Sequence, residues 1–240
     1  IQKNGKYGYI DRTGKAIAEP QFQWAGEFSE GLALVWPSPE QGFGYIDATG
    51  QFAIPPQFIA DEHSGNFSEG LAYVKAPPYF AYIDRTGKVM MEVSGISYAY
   101  EGPFAEGLAR VRVSNKHGYI DKTGKEVIEP QFQWAQEFSE GLAGARAENS
   151  DKFGYIDKPG QFAIKPQFDA VELFSEGLAC VKTEYRRGYI DKTGQFVIEP
   201  QFEYCGAFSE GLVRAKDVRS GRYGYIDKTG TFVIEPQFEY

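Results

Sequence analysis

Seven aspartates recur at one fixed place in this 240-residue chain: Asp11, Asp47, Asp84, Asp121, Asp157, Asp191 and Asp227. Evenly spaced carboxylates could form a row of cation sites. Calcium, however, needs a cluster of six or more oxygen ligands, and each aspartate here is followed only by Lys, Arg or Ala and then, apart from Pro159, by Thr-Gly. The arrangement fits a side chain capping its own turn. A proteolytic Asp-Thr-Gly pair is excluded as well, because the Thr is displaced by one residue and the motif is repeated. Six glutamates, Glu30, Glu69, Glu106, Glu140, Glu176 and Glu210, each precede Gly-Leu and read as solvated turn residues. His63 and His117 fall in different copies with no partner at ligand or base spacing, so each reads as a surface or packing residue. Cys180 and Cys205 occupy non-equivalent places in neighbouring copies, which suggests incidental thiols rather than a bridge.

No glycine-rich phosphate loop, nucleophile elbow or Cys/His metal cluster occurs. A residue repeated six or seven times is scaffold before it is catalyst, since catalysis needs one constellation. The expectation is therefore a protein that is not an enzyme, with no catalytic residue, no cofactor and no metal.

The elements that must position these residues follow from the repetition. Gly-Tyr-Ile-Asp begins at Gly8, Gly44, Gly118, Gly154, Gly188 and Gly224, with Ala-Tyr-Ile-Asp at Ala81. Its aspartates are spaced by 36, 37, 37, 36, 34 and 36 residues. A second marker, Phe-(Ser/Ala)-Glu-Gly-Leu, begins at Phe28, Phe67, Phe104, Phe138, Phe174 and Phe208. The chain reads as a single repeat domain over 1–240, with copies at 1–41, 42–79, 80–116, 117–152, 153–186 and 187–222 and a partial copy at 223–240.

Each copy predicts three strands. The first is the Gly-Tyr-Ile-Asp strand; Asp-x-Thr-Gly then makes a hairpin turn in which Asp accepts backbone hydrogen bonds and Gly supplies a left-handed residue. The second is the apolar run that leads into Glu-Pro-Gln-Phe, where Pro lacks the ladder donor and ends regular pairing. The third is Leu-Ala-x-Val. Its column Ala33, Ala72, Ala109, Ala143 and Ala179 is small and suits close approach, whereas Leu34, Tyr73, Arg110, Gly144, Cys180 and Arg214 share no chemistry and read as a surface column.

In the second strand the column Ile54, Met91, Ile128, Ile164, Ile198 and Ile234 is apolar, and so is the adjacent column Ile17, Met90, Val127, Val197 and Val233. Both faces are therefore expected to be covered. The connections from the third strand to the next Gly-Tyr-Ile-Asp vary as 8, 6, 6, 8, 6 and 8 residues. Steps of two lengthen a hairpin without inverting its faces.

The full pattern, (aromatic)-Gly-Tyr-Ile-Asp-Lys-Thr-Gly-Lys-x-Val-Ile-x-Pro-Gln-Phe followed by Phe-Ser-Glu-Gly-Leu-Ala-x-Val, resembles the WG (KWG) repeat of bacterial proteins over essentially the whole chain. The resemblance implies a bacterial origin and β-rich repeats in variable number, often joined to other domains, with no common activity. One departure is plain: the family's Trp is replaced by Tyr7, Phe43, Phe80, His117, Phe153, Arg187 and Tyr223.

Composition agrees with a β fold of many turns: 16% aromatic, 28 Gly and 13 Pro. A net charge of −8 argues against general nucleic-acid binding, and the longest apolar runs are too short to insert in a membrane. The chain starts at Ile1, which suggests a processed or excised piece, so localisation is not read from it.

The expected fold is thus an all-β tandem array of three-stranded antiparallel units stacked as an open, twisted superhelix, with a β-propeller as the alternative. The expected function is a non-catalytic scaffold or spacer that binds a protein partner. Its binding surface would include Tyr73, Arg110 and Arg214 and the loops around Trp36, Pro77 to Tyr79, Tyr98 to Tyr100 and Tyr185 to Arg187. The alternative is glycan or cell-wall binding through Trp24, Trp134, Tyr204 and Tyr240, with their solvent exposure as the discriminator.

Overall fold

A computed structural model describes residues 1–59, 65–93, 99–100 and 102–239. Among them every regular element is a strand, and the architecture is an all-β tandem array of antiparallel hairpins. The chain divides into two compact units, Ile1–Ala109 with Lys122–Gly124, and Arg110–Asp121 with Lys125–Tyr240.

In the second unit the order of pairing shows how copies are joined. The first strand Lys116–Asp121 pairs with the second, Glu126–Ala135, whose far end pairs with the third, Ala143–Ala147. That third strand pairs in turn with the first strand of the next copy, Phe153–Ile156. The sheet therefore meanders through successive copies instead of closing within one. Pairs such as Ala143↔Ile156 and Ala145↔Gly154 put the small third-strand column against the next Gly-Tyr-Ile-Asp, and Ala143, Ala145 and Ile156 are fully buried. The first unit repeats the scheme: Leu32–Trp36 pairs with Phe43–Asp47, and Phe43–Asp47 with Phe52–Phe58.

The proline interrupts the ladder without ending the strand. Tyr119 faces Ile128 and His117 faces Phe132, so a step of two residues on one side spans four on the other. Pro130 sits inside this bulge, where its missing N–H leaves no gap in the ladder. The bulged backbone folds directly over the marker glycine: a Cβ on Gly118 would lie 2.5 Å from the Ile128 oxygen and 2.6 Å from the Pro130 nitrogen. Gly8, Gly44, Gly154, Gly188 and Gly224 meet the same backbone obstacle.

Copy three supplies the internal control. Ala81 replaces the glycine and Val93 stands nine residues after Asp84, where every other copy has Pro. There the ladder runs without that bulge, Met91↔Tyr82, Glu92↔Ala81 and Val93↔Phe80. The Gly and the Pro are thus two halves of one local structure.

Two expectations about faces are corrected. The variable third-strand column is not a surface: Leu34, Tyr73 and Cys180 are 2%, 5% and 1% exposed. It is covered by the far end of the second strand of the next copy, or by the short strand Ala170–Val171 that follows it. Arg110 donates to the Ala135 carbonyl, a Cβ on Gly144 would lie 2.8 Å from Val171 Cγ2, and Cys180 is disulfide-bonded to Cys205. Ala135, Val171 and Cys205 occupy one equivalent place, three residues after the Phe of Gln-Phe. The cysteines are therefore a specific bridge, because non-equivalent positions of neighbouring copies face each other.

The second strand is also covered on one side only. Ile128, Ile164 and Ile198 are buried, and each lies beneath the turn glycine of the next copy, Gly160, Gly194 and Gly230. The adjacent column is open to solvent, with Met90 53%, Val127 43%, Val197 48% and Val233 58% exposed.

Candidate functional site

Most of the recurring polar residues work within the scaffold. Asp11 Oδ1 accepts from Thr13 N at 2.8 Å, Thr13 Oγ1 at 2.6 Å and Lys15 N at 3.0 Å; Asp47, Asp84, Asp191 and Asp227 repeat the pattern. The threonine hydroxyl and then the turn amides hold these carboxyls below the usual aspartate range. Each aspartate is thus committed to its own turn. Where Pro159 replaces Thr, Asp157 still accepts from Gln161 N at 2.8 Å.

The glutamates are not merely solvated. Ser-Glu-Gly-Leu is a two-residue turn with both central residues left-handed, φ 51° at Glu69 and 84° at Gly70, the conformation of a type I′ hairpin turn. A non-glycine residue there is uncommon, and its carboxylate has a second partner. Glu30 accepts from Gly70 N at 2.9 Å and Glu69 from Gly107 N at 2.9 Å. In the second unit Glu140 accepts from Gly177 N and Glu176 from Gly211 N, both at 3.0 Å.

In four copies the basic residue after the aspartate adds to the link. Lys122 lies 3.1 Å from Glu69, Lys192 3.1 Å from Glu140 and Lys228 3.0 Å from Glu176, while Arg85 donates to the Glu30 carbonyl. Serine adds a parallel bond: Ser29, Ser68, Ser139 and Ser175 donate to the carbonyls of Phe67, Phe104, Phe174 and Phe208 at 2.6 to 2.7 Å. Burial opposes ionisation of Glu69, but Lys122 and the Gly107 amide outweigh it and hold its carboxyl below the usual range. The Lys228 hydrogen bond does the same for Glu176.

The marker tyrosines close each copy from inside. Tyr45, Tyr155 and Tyr189 donate to the carbonyls of Gly65, Glu172 and Gly206 at 2.7, 2.7 and 3.0 Å. Their rings pack on the marker phenylalanines, as in Tyr45–Phe67 at 4.9 Å and Tyr189–Phe208 at 4.8 Å. Burial raises the pKa of Tyr155 and Tyr189, and that of the half-buried Tyr9 to about 12.

The residues singled out for binding are dispersed. Tyr73 is buried and stacked on Phe80 at 5.4 Å. Arg110 is half-buried on its carbonyl partner. Arg214 lies 4.6 Å over the Tyr223 ring and 5.5 Å over Tyr204. Trp24 and Tyr204 are 42% and 39% exposed, whereas Trp134 is half-buried and meets Phe153 edge-on at 5.0 Å. His117 is buried, in the place of the expected Trp. His63, Tyr98 and Tyr240 lie outside the described residues.

Two features went unrecognised in the sequence. The glutamate links were signalled by the recurrence of one acidic residue at a left-handed turn position; the open Val127, Val197 and Val233 column had no signal, since it looks like core. Among the described residues no three His, Cys, Asp or Glu side chains converge as a metal site requires. A cavity of about 200 Å³ is lined by Arg214, Tyr223, Tyr225 and Phe238.

Comparison with solved structures places this fold beside two proteins of very different sequence. A structure described as the eukaryotic initiation factor shares 12% identity, covers 98% of this chain and 72% of its own, and superposes with a TM-score of 0.65. Kluyveromyces lactis Hsv2p shares 9% identity over 85% of this chain and 74% of its own, with a TM-score of 0.54. No curated protein sequence matches the chain. The model of the WG containing repeat matches seven times, at residues 7–35, 43–76, 80–116, 118–149, 153–185, 188–217 and 223–240. With the marker residues accounted for copy by copy, this chain belongs to the WG-containing repeat family.

Proposed function

We propose that this repeat scaffold is non-catalytic and binds a protein partner. The observation that carries the reading is the open apolar column of the second strand, Val127, Val197 and Val233 at 43% to 58% exposure, one on each of three hairpins. Exposed aliphatic residues repeated on a rigid frame suit a protein surface. The recurring polar groups are engaged in turns and inter-repeat links, which argues against a catalytic role for them.

The test is a pull-down or crosslinking experiment with the wild-type chain and with the triple variant Val127→Glu, Val197→Glu, Val233→Glu. A specific protein captured by the wild type and lost with the variant supports the proposal. Binding of a glycan or small molecule with no protein captured overturns it.

A second reading, carbohydrate binding, is favoured by the exposed Trp24 ring and by the Tyr204, Arg214 and Tyr223 cluster beside its cavity. A glycan array with Trp24→Ala and Tyr204→Ala variants tests it; binding that survives both substitutions sinks it.

A further inference from the structure

Two equivalent places in the second unit treat a cation differently. Lys116 opens the first strand Lys116–Asp121 and pairs at 2.7 Å with Glu148, on the connection that follows the third strand Ala143–Ala147. Arg186 opens the first strand Arg186–Ile190 in the same position, but Val218 stands in the place of Glu148. The registers Phe132↔Ala147 and Phe202↔Asp217 fix that equivalence. The exchange removes the acid and leaves the cation. No neighbouring acid replaces it. Lys152, in the same position on another first strand, binds Asp169 at 2.5 Å, whereas the corresponding Glu203 is held by Lys216 at 2.9 Å. Arg186 has no ion-pair partner among the described residues.

Arg186 lines an open cleft of about 500 Å³ together with Gln201, Asp217, Val218 and Arg219. Arg219 stands where the equivalent connection has Asn149. Asp217 lies close enough to Arg219 to feel its charge, and its carboxylate already accepts from Ser220 N at 2.7 Å and Ser220 Oγ at 2.8 Å. With two guanidinium groups and one carboxylate the lining carries one net positive charge, on a chain whose net charge is −8. A guanidinium presents a planar fork of donors that matches a carboxylate, and the Gln201 amide can add another donor. One positive charge balances a carboxylate better than a phosphate dianion.

The cleft adjoins the surface assigned above to a partner. Along the strand Phe196–Cys205, Val197, Glu199 and Gln201 are exposed while Ile198 and Phe202 are buried, so the open valine and the cleft glutamine share one outward face. We propose that the cleft binds the carboxylate of an acidic side chain on the protein partner, which takes at Arg186 the place that Glu148 holds at Lys116. The proposal rests on the reading that the partner is a protein, and narrows it to one that presents an acidic residue beside an apolar contact for Val197.

Calorimetric titration of the full chain at low salt with a capped oligoglutamate peptide provides the test, with oligoglutamine, inorganic phosphate and oligogalacturonate as comparators. The oligoglutamate is expected to bind and the oligoglutamine to fail. Arg186→Gln should weaken binding about tenfold through the loss of charge-assisted hydrogen bonds. Val218→Glu restores the internal acid found at Glu148 and should weaken binding at least as much. Lys125→Gln removes the same charge from an exposed position on another hairpin and should leave binding unchanged. An oligoglutamate that does not bind overturns the proposal, as does binding that Lys125→Gln weakens as much as Arg186→Gln, or tighter binding of phosphate or oligogalacturonate. The peptide stands in for the partner, so this test and the capture experiment with the valine variant can fail separately.

Discussion

The carboxylate of Glu69 accepts the backbone N–H of Gly107 at 2.9 Å across one full repeat, from a left-handed residue at φ 51°. Two opposing effects meet at this position, the strain of a non-glycine residue at positive φ and the bond that only a long acidic side chain makes. Glu69→Ala keeps the strain and loses the bond, and should lower the unfolding free energy by about 1 to 2 kcal/mol. Glu69→Gly loses the bond but relieves the strain, so it should be less damaging than Ala. Chemical denaturation of both variants checks this; a glycine variant no more stable than the alanine one removes the strain from the account.

The same carboxylates set the acid response. The turn aspartates and the linking Glu69 and Glu176 have folded-state pKa values below their ordinary ones. Their contribution is fully present above the pKa of the unfolded chain, near about 4, and is lost as pH falls through the folded values. The midpoint of thermal unfolding should therefore be level through neutral pH and fall below about pH 4. Salt should weaken the Lys–Glu component, because those pairs are partly solvent-exposed. A midpoint that does not respond to acid would show that the links contribute nothing to stability.

Gly118 and Pro130 should behave as a coupled pair. Gly118→Ala drives a Cβ into the bulged backbone and should cost about 1 to 3 kcal/mol, in the range of overpacked cores. Adding Pro130→Val reproduces the combination found at Ala81 and Val93 and should recover part of that loss by allowing regular pairing. A double-mutant cycle measures the coupling; strict additivity would contradict it.

The Cys180–Cys205 bridge closes a loop of 25 residues between adjacent copies. By the chain-entropy estimate its loss should cost about 3 kcal/mol. Denaturation of the second unit's copies in the presence and absence of reductant, with a Cys180→Ala, Cys205→Ala variant alongside, reads this directly. Equal stability in all three cases would mean that the packing of the second-strand end on the third strand of the preceding copy holds the two copies together unaided.

Much of the fold was legible because its determinants are local. The hairpins follow from Asp-x-Thr-Gly chemistry, and the strands from alternation and from connections that change in steps of two. The marker glycine read only as a strand residue, but it yields space to the bulge made by a proline more than ten residues away. The candidate site was less legible. Tyr73, marked as surface, is buried, and Val127, marked as core, is open. A column of side chains in a repeat shows its chemistry in the sequence, whereas its burial depends on what the next copy places over it.

By itself, then, the sequence determined the repeat, its length, its strands and its turns, since each is fixed by residues close along the chain. The tertiary structure decided which face of each strand is dry, what Glu30, Glu69, Glu140 and Glu176 gain from a left-handed backbone, and which positions of neighbouring copies face each other. Those outcomes depend on how one copy registers on the next. The registration fixes contacts between residues 25 to 55 positions apart, from the Cys180–Cys205 bridge to the Arg85 bond with the Glu30 carbonyl.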